Sequence, residues 1–435
     1  MKLFPSFLKK KQIIIVPQNK HAMSRNLIER SVLDIMGRLR RSGFQAYLVG
    51  GCVRDILLGK KPKDFDTVTN ARPQQIKRLF RRCFLIGRRF RLAHVYISHD
   101  RFVEVATFRA AVDPEQNADE GRFAANNVYG TIEEDALRRD FTVNSLYYNS
   151  ADGSIVDYCG GLDDLNKKTL RSVGDPMVRY KEDPVRIIRA ARFCAQLGFN
   201  PSKSDFKAAV ACSSLIAQAN AHRMLEELYK ILRCGASAGT VENLQKFQII
   251  KHWLPEIDPQ KHTGLLPRLA AMDRRRAAGE EVPIAVLLTT LLYDLFAEAI
   301  GDQRGFQDAF NAIHQRFNDL VTRLCIPRRE WDAMCNLVAR QSNLTRIPDP
   351  RKGKGFEKRF VHNAHFPNAL MFFEIYAEAT GRYMDELKYW KERAAAIPRQ
   401  DNWQQPDLHG RHVGGHHGRR NRHPRQEVKT ETPTT

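Results

Sequence analysis

Leu48-Val-Gly-Gly-Cys-Val-Arg-Asp-Ile-Leu-Leu-Gly59, followed by Asp64-Phe-Asp66, holds the residues best suited to chemistry in this chain. Asp64 and Asp66 lie two apart in a strand-like segment, where alternation sends both carboxylates to one face. Converging carboxylates suit a hard divalent cation such as magnesium, with manganese the alternative ion. Transfer of a nucleotidyl group calls for two such ions, one activating an attacking hydroxyl and one clamping a triphosphate. Gly50 and Gly51 offer backbone N–H groups that phosphate oxygens can approach closely, with a helix N-terminus behind them. Arg54 follows one turn later, placed to neutralise the same phosphates. Taken singly, a Gly-Gly pair is a turn and an Asp-x-Asp is a solvated edge or a cap; in order at this spacing they are more specific.

Glu104 supplies a third carboxylate. It sits inside Phe-Val-Glu-Val-Ala-Thr-Phe, where a charge is costly unless it is paired, bound to metal, or on a face turned to water. Arg138-Arg-Asp-Phe-Thr-Val-Asn144 comes next, after a capping-box pattern at Thr131-Ile-Glu-Glu134. Asp140 and Asn144, four apart, would share a helical face and could hold a ribose hydroxyl, while Arg139 could take a phosphate bidentately. An ordinary helical salt-bridge ladder is the plainer account. In Glu182-Asp-Pro-Val-Arg186, Pro184 suits the first helical position and Asp183 its N-cap. Asp183 also accepts hydrogen bonds and Arg186 donates them. Together they match the Watson–Crick edge of adenine or cytosine, so ATP or CTP would be taken and UTP or GTP refused. Arg186, Arg189 and Arg192 follow at three-residue spacing along one face.

These residues need a scaffold that alternates strands and helices. Leu27–Leu39 has helical spacing. Phe44–Val49 reads as a strand leading through the glycine turn into a helix at Val53–Leu58. Phe65–Val68 is a second strand, Pro73 opens a helix to Phe80, and His94–Ile97 with Phe102–Phe108 forms a strand pair. Near residue 165 the pattern turns helical, with Pro184–Leu197, Met224–Leu232, Pro283–Phe296 and Asn368–Ala395, and a loop at Ile347–Phe356. The organisation expected is a basic, loosely ordered arm (1–25), a catalytic head (26–165), a helical neck binding nucleotide base and RNA (166–235), a helical RNA-binding body (236–400), and a disordered His/Arg-rich tail (401–435).

The chain has 435 residues, and its 70 Lys and Arg against 49 Asp and Glu leave a charge of +21. Such a surplus points to a polyanionic partner. Between Thr67 and His99 there are eight basic residues and no acidic one, among them Arg88, Arg89 and Arg91. Eight scattered cysteines with no Cys-x-x-Cys pair argue against a zinc site or a disulfide framework and fit a reducing cytoplasm. The apolar run Ile13–Val16 is too short for a signal peptide or a membrane span, so no membrane association is expected.

With these motifs in order, the chain resembles the bacterial class II nucleotidyltransferases, the group holding poly(A) polymerases and tRNA CCA-adding enzymes. The resemblance is continuous from about His21 to Leu197 and weaker beyond. Within the group, Lys60-Lys-Pro-Lys-Asp-Phe-Asp66, Leu85-Ile-Gly-Arg-Arg-Phe-Arg-Leu-Ala-His-Val95 and Asn144-Ser-Leu-Tyr-Tyr148 resemble the poly(A) polymerase I branch. The resemblance implies an α+β fold: a polymerase-beta-like head of mixed sheet and helices, then an all-α neck and body. It implies adenylate addition from ATP to RNA 3′ ends in RNA processing and decay, with RNA-decay or RNA-chaperone proteins as partners. Asp64 and Asp66 would be catalytic metal ligands assisted by Glu104, and Asp140 would belong to a motif essential to catalysis. Gly50, Gly51, Arg54 and Arg139 would handle triphosphate, Asn144 the nucleotide, and Asp183 with Arg186 the base. Arg88, Arg89, Arg91, Arg189 and Arg192 would meet RNA. CCA addition to tRNA is the near alternative, and a non-catalytic RNA-binding protein the distant one. Two features depart from the family pattern: Ala110–Tyr129 is shorter than is common, and Cys52 stands where a small residue is usual, as packing.

Overall fold

The structure, a computed structural model, describes residues 13–87, 92–110, 129–301, 305–349 and 354–397. The expected Arg88, Arg89 and Arg91 contacts and the 401–435 tail lie outside these residues. An eight-stranded sheet forms the head: β1 (Ile14–Val16), β2 (Ala46–Val49), β3 (Asp66–Thr69), β4 (Cys83–Ile86), β5 (Leu92–Tyr96), β6 (Phe102–Thr107), β7 (Leu146–Tyr148) and β8 (Ile155–Asp157), in the order β1-β8-β7-β2-β3-β6-β5-β4. All neighbours run antiparallel except β3 and β6, which run parallel. The strands before and after the glycine turn therefore lie side by side.

Alternation sends Leu48, Ala93, Val95, Val103 and Val105 to one face. There they pack with Val32, Met36 and Leu39 of helix α1 (Arg30–Arg41), Val53 and Ile56 of α2 (Gly51–Leu57) and Ile76 of α3 (Pro73–Leu79). On the other face, Val49, Val68, Phe108 and Tyr147 pack with Ala136 of α4 (Ile132–Leu137). Thr131 and Glu134 close the expected capping box at the start of α4: the Thr131 hydroxyl accepts from Glu134 N (3.2 Å) and Glu134 accepts from Thr131 N (2.7 Å). Past α5 (Gly161–Asn166) the chain turns helical, through α6 (Pro176–Glu182), α7 (Val185–Leu197), α8 (Lys203–Ala211) and α9 (Ala221–Arg233). Buried residues from Phe141 to Trp390 form one continuous core, so the expected boundary at 235/236 crosses no gap in packing.

Several expectations are corrected. Residues 14–16 are not loose arm but an edge strand on β8, whose backbone groups they pair while the Ile14 and Ile15 side chains stay exposed. Asn368–Ala395 is not one helix but two, Phe366–Thr380 and Met384–Ala396, parted where Gly381 (φ +68°) and Tyr383 (φ +60°) take left-handed conformations. The Ile347–Phe356 loop is shortened by a helix that begins at Lys354.

Candidate active site

The parallel register of β3 and β6 assembles the carboxylates. Asp66 opens β3 beside Glu104 on β6, and Asp64 stands two residues earlier in the irregular approach to the strand. Asp66 keeps contact with solvent, yet enough protein crowds it that desolvation pushes its carboxyl up to about 6. The negative charges of Asp64 and Glu104 push the same way, and Arg139 opposes them. Like charge left uncompensated in this way is what a divalent cation relieves, so the donor set fits one. Among the described residues no three His, Cys, Asp or Glu side chains are drawn together as around an ion. Glu104 leans instead to His94, whose Nε2 is 3.5 Å away.

The glycine turn is the junction of the site. Gly50 has φ +79° and ψ −136°, a backbone shape that a side chain would strain. A Cβ there would stand 3.7 Å from Arg139 Nη1 and 3.8 Å from both Asp66 Oδ2 and the Asn144 carbonyl. These are ordinary contact distances, so it is the positive φ of the turn that calls for glycine, and the turn brings a strand carboxylate, a guanidinium and the Asn144 loop to one point. Arg139 is locked by its other nitrogens: Nε and Nη2 donate to Asp135 at 3.1 and 2.9 Å, and Nε also to Tyr147 Oη at 3.1 Å. Burial by itself lowers the pKa of Arg139, but Tyr147 and Asp135 outweigh it and the net direction is up. It remains a fixed cation, with Nη1 directed to the turn.

From Arg139 the site continues into an open cleft of about 370 Å³, lined by Asp140, Asp183, Arg186, Arg189 and Arg223 among others. The base-reading pair expected from the sequence, Asp183 and Arg186, therefore shares a cleft with Arg139. Asp183 is not the N-cap of α7, where no side chain caps. Its carboxylate instead receives Nη1 and Nη2 of Arg223 at 3.0 and 2.8 Å. Arg186 Nη1 donates to Glu182 and to the Arg179 carbonyl, both at 3.1 Å.

Comparison with known proteins now bears on this arrangement. The profile described as "Poly A polymerase head domain" matches residues 46–171, and "Probable RNA and SrmB- binding site of polymerase A" matches 198–261. Poly(A) polymerase I of Haemophilus influenzae is 46% identical over 385 residues, covering 83% of this chain and 84% of that protein. Its counterpart in Salmonella typhimurium is 36% identical, covering 88% and 86%. The chain belongs to the poly(A) polymerase I family. CCA-adding enzymes are also similar, the Bacillus subtilis protein at 36% identity over 49% of this chain and 52% of its own. The crystal structure of Bacillus stearothermophilus CCA-adding enzyme in complex with CTP shares the fold, with TM-score 0.63, 23% identity, and coverage of 86% and 83%.

Three expected roles for polar residues in this family member are corrected. Arg54 does not face the cleft: α2 carries it inward, where it is buried, donates to Asp55 (2.8 Å) and Asn144 Oδ1 (2.6 Å), and lies over the Phe193 ring. Asp140 and Asn144 do meet (3.2 Å), but across a turn after α4 and not along a helix. Asp140 accepts from Phe141 N and Asn144 on one oxygen and from Arg189 Nε and Nη2 on the other, which fills its acceptor sites. Burial works against its charge, but Arg189 and the other donors hold it at about 2. It tethers the head to α7 at the wall of the cleft. Arg192 is buried against Glu227 and Phe193 and offers RNA no surface. Arg189 bridges Asp140 and Glu227 at the cleft wall.

Sequence reasoning missed three partners. Asp135, with no side-chain exposure, anchors Arg138 and Arg139; its i,i+3 and i,i+4 spacing to them was the available signal. Glu227 gathers Arg189, Arg192 and Lys230, of which only the Lys230 spacing was local. Arg223 had no local signal. Cys52 is packing as expected: it is buried, its Sγ donates to the Val49 carbonyl, and desolvation pushes its thiol up to about 12.

Proposed function

We propose that this chain adds AMP from ATP to RNA 3′ ends without a template. The observation that carries the reading is the junction at Gly50, where Asp66 and Arg139 come together, and Arg139 lines a cleft that also holds Asp183 and Arg186. The RNA 3′-oxygen would bond to the α-phosphorus as the bond to the β-phosphate oxygen breaks and pyrophosphate leaves. Magnesium held by Asp64 and Asp66 with help from Glu104 would supply charge neutralisation at the reacting phosphate. The Gly50 turn and Arg139 would hold the triphosphate in place, which is positioning and electrostatic work and needs no covalent intermediate. Asp183 and Arg186 would read the adenine edge, each exchanging a present partner for the base. Relatives named poly(A) polymerase I align over most of the chain, and those named CCA-adding enzyme over about half, which favours adenylate tails over CCA.

The test is extension of a generic single-stranded RNA, and of tRNA lacking its 3′ end, with each NTP supplied separately alongside magnesium. A long ladder on generic RNA with ATP and little with CTP is expected. A CTP requirement, with addition stopping after three nucleotides on tRNA alone, would overturn the reading in favour of CCA addition. Asp64→Ala with Asp66→Ala should abolish extension and leave RNA binding intact; joint loss of both would count against the metal assignment.

A further inference from the structure

Among the described residues, helices cover β4, β5 and the start of β6 on one face. Cys83, Ala93, Val95, Val103 and Val105 face the helices and are buried. The opposite face presents rings. Phe84 is 62% exposed and Phe102 41%, where a half-solvated sheet ordinarily carries polar groups. The rings are ordered against one another: Phe84 meets Tyr96 edge-on at 5.5 Å, Phe102 lies 5.5 Å from Tyr96, and His94 stacks flat on Phe102 at 4.0 Å. An exposed ring cluster held in fixed geometry marks a contact surface.

Register joins this surface to the carboxylates. Phe84 pairs with His94, His94 with Glu104, and Glu104 with Asp66, so one row crosses four strands from the outermost ring to the reaction site. Three inter-strand steps span about 14 Å, the reach of roughly two to four nucleotides. Positive charge adjoins the rings at Arg82, which is exposed and whose carbonyl accepts from Tyr96 N at 2.8 Å, within the stretch from Thr67 to His99 that contains no acid.

We propose that Phe84, Tyr96 and Phe102 form a stacking platform for the last unpaired bases of single-stranded RNA, feeding the 3′-hydroxyl along the sheet to Asp64 and Asp66. This rests on the proposed function for its direction toward the reaction site. Every base has a π-face, so the platform accepts any sequence, the growing tail included, while a flush duplex end cannot lie across it. The occupant is RNA, since an exposed ring face beside Arg82, in a stretch without acid and in register with Glu104 and Asp66, suits a flexible polyanion with flat bases.

The test uses an unpaired oligoribonucleotide with 2-aminopurine one position before its 3′ end, titrated against the full chain without nucleotide. Stacking should quench the probe. In the Phe84→Leu/Phe102→Leu double variant quenching should disappear and the KM for RNA should rise about ten-fold, the scale of losing one or two base–ring contacts. Phe102→Trp should keep both, and the KM for ATP should stay within about two-fold in all variants. Unchanged quenching and RNA KM in the double variant would overturn the proposal. So would a large fall in Tm with RNA binding intact, which would mean that this chain's own residues cover the rings. Quenching is read without turnover, so a chain that fails to add AMP would refute the proposed function and still report on the platform.

Discussion

Asp140→Asn separates tether from catalyst. The substitution keeps the shape and replaces one carboxylate oxygen by an amide that donates; set toward Arg189, it opposes Nε and Nη2, which now donate there. Asp140 stands at about 2 in place of 3.8, although burial resists its charge, because Arg189 and the hydrogen bonds from Arg189, Asn144 and Phe141 outweigh that resistance. At about 1.4 kcal/mol per pH unit, this is roughly 2 kcal/mol of folding stability. A depressed carboxylate contributes above its unfolded value and loses the contribution as pH falls through its folded value. The stability gap between the natural chain and the variant should therefore be steady from pH 7 to about pH 5, then shrink from about pH 4 toward pH 2. Urea unfolding at several pH values measures it. A gap below about 0.5 kcal/mol at pH 7, or one that persists unchanged to pH 3, would refute the reasoning. Lost extension with stability untouched would also refute it, since that is how a residue in contact with substrate behaves.

Gly50→Ala should cost about 1–3 kcal/mol through its positive φ, and extension should fall further than unfolding accounts for, as relief of that strain shifts the turn that meets Arg139 and Asp66; thermal melts paired with kinetics check it. Arg192→Met should destabilise by roughly 2–4 kcal/mol by leaving Glu227 short of a buried partner, with RNA affinity by filter binding unchanged. Arg223→Ala removes a half-exposed pair from Asp183, so stability should move by less than about 1 kcal/mol while the preference for ATP over CTP shifts in competition assays.

The local signals read well from sequence. The glycine turn, the capping box at Thr131, the strand from Phe102 and most helix positions follow from spacing within a few residues, and the structure keeps them. What spacing could not provide was partnership across the chain. Nothing near Asp183 announces Arg223, forty residues away. Nothing near Asp140 announces Arg189, which ties that carboxylate to α7. Arg54 and Arg192 looked like surface cations because arginine usually is one; their burial depends on Asn144 and Glu227 arriving from elsewhere. The exposed ring row needed the strand order, which places β4 and β5 beyond β6 and away from the helices that follow.

The edge strand β1 bears on how the protein can be handled. Ile14, Ile15 and Val16 pair with Asp157, Val156 and Ile155, and thereby occupy backbone groups of β8 that no other strand reaches. A version begun after Lys20 would uncover those groups beside the apolar side chains of Val156 and Ile155. Such a strand is a template for a second molecule. Shortening the chain at its start should therefore give a protein that still folds but self-associates through its sheets.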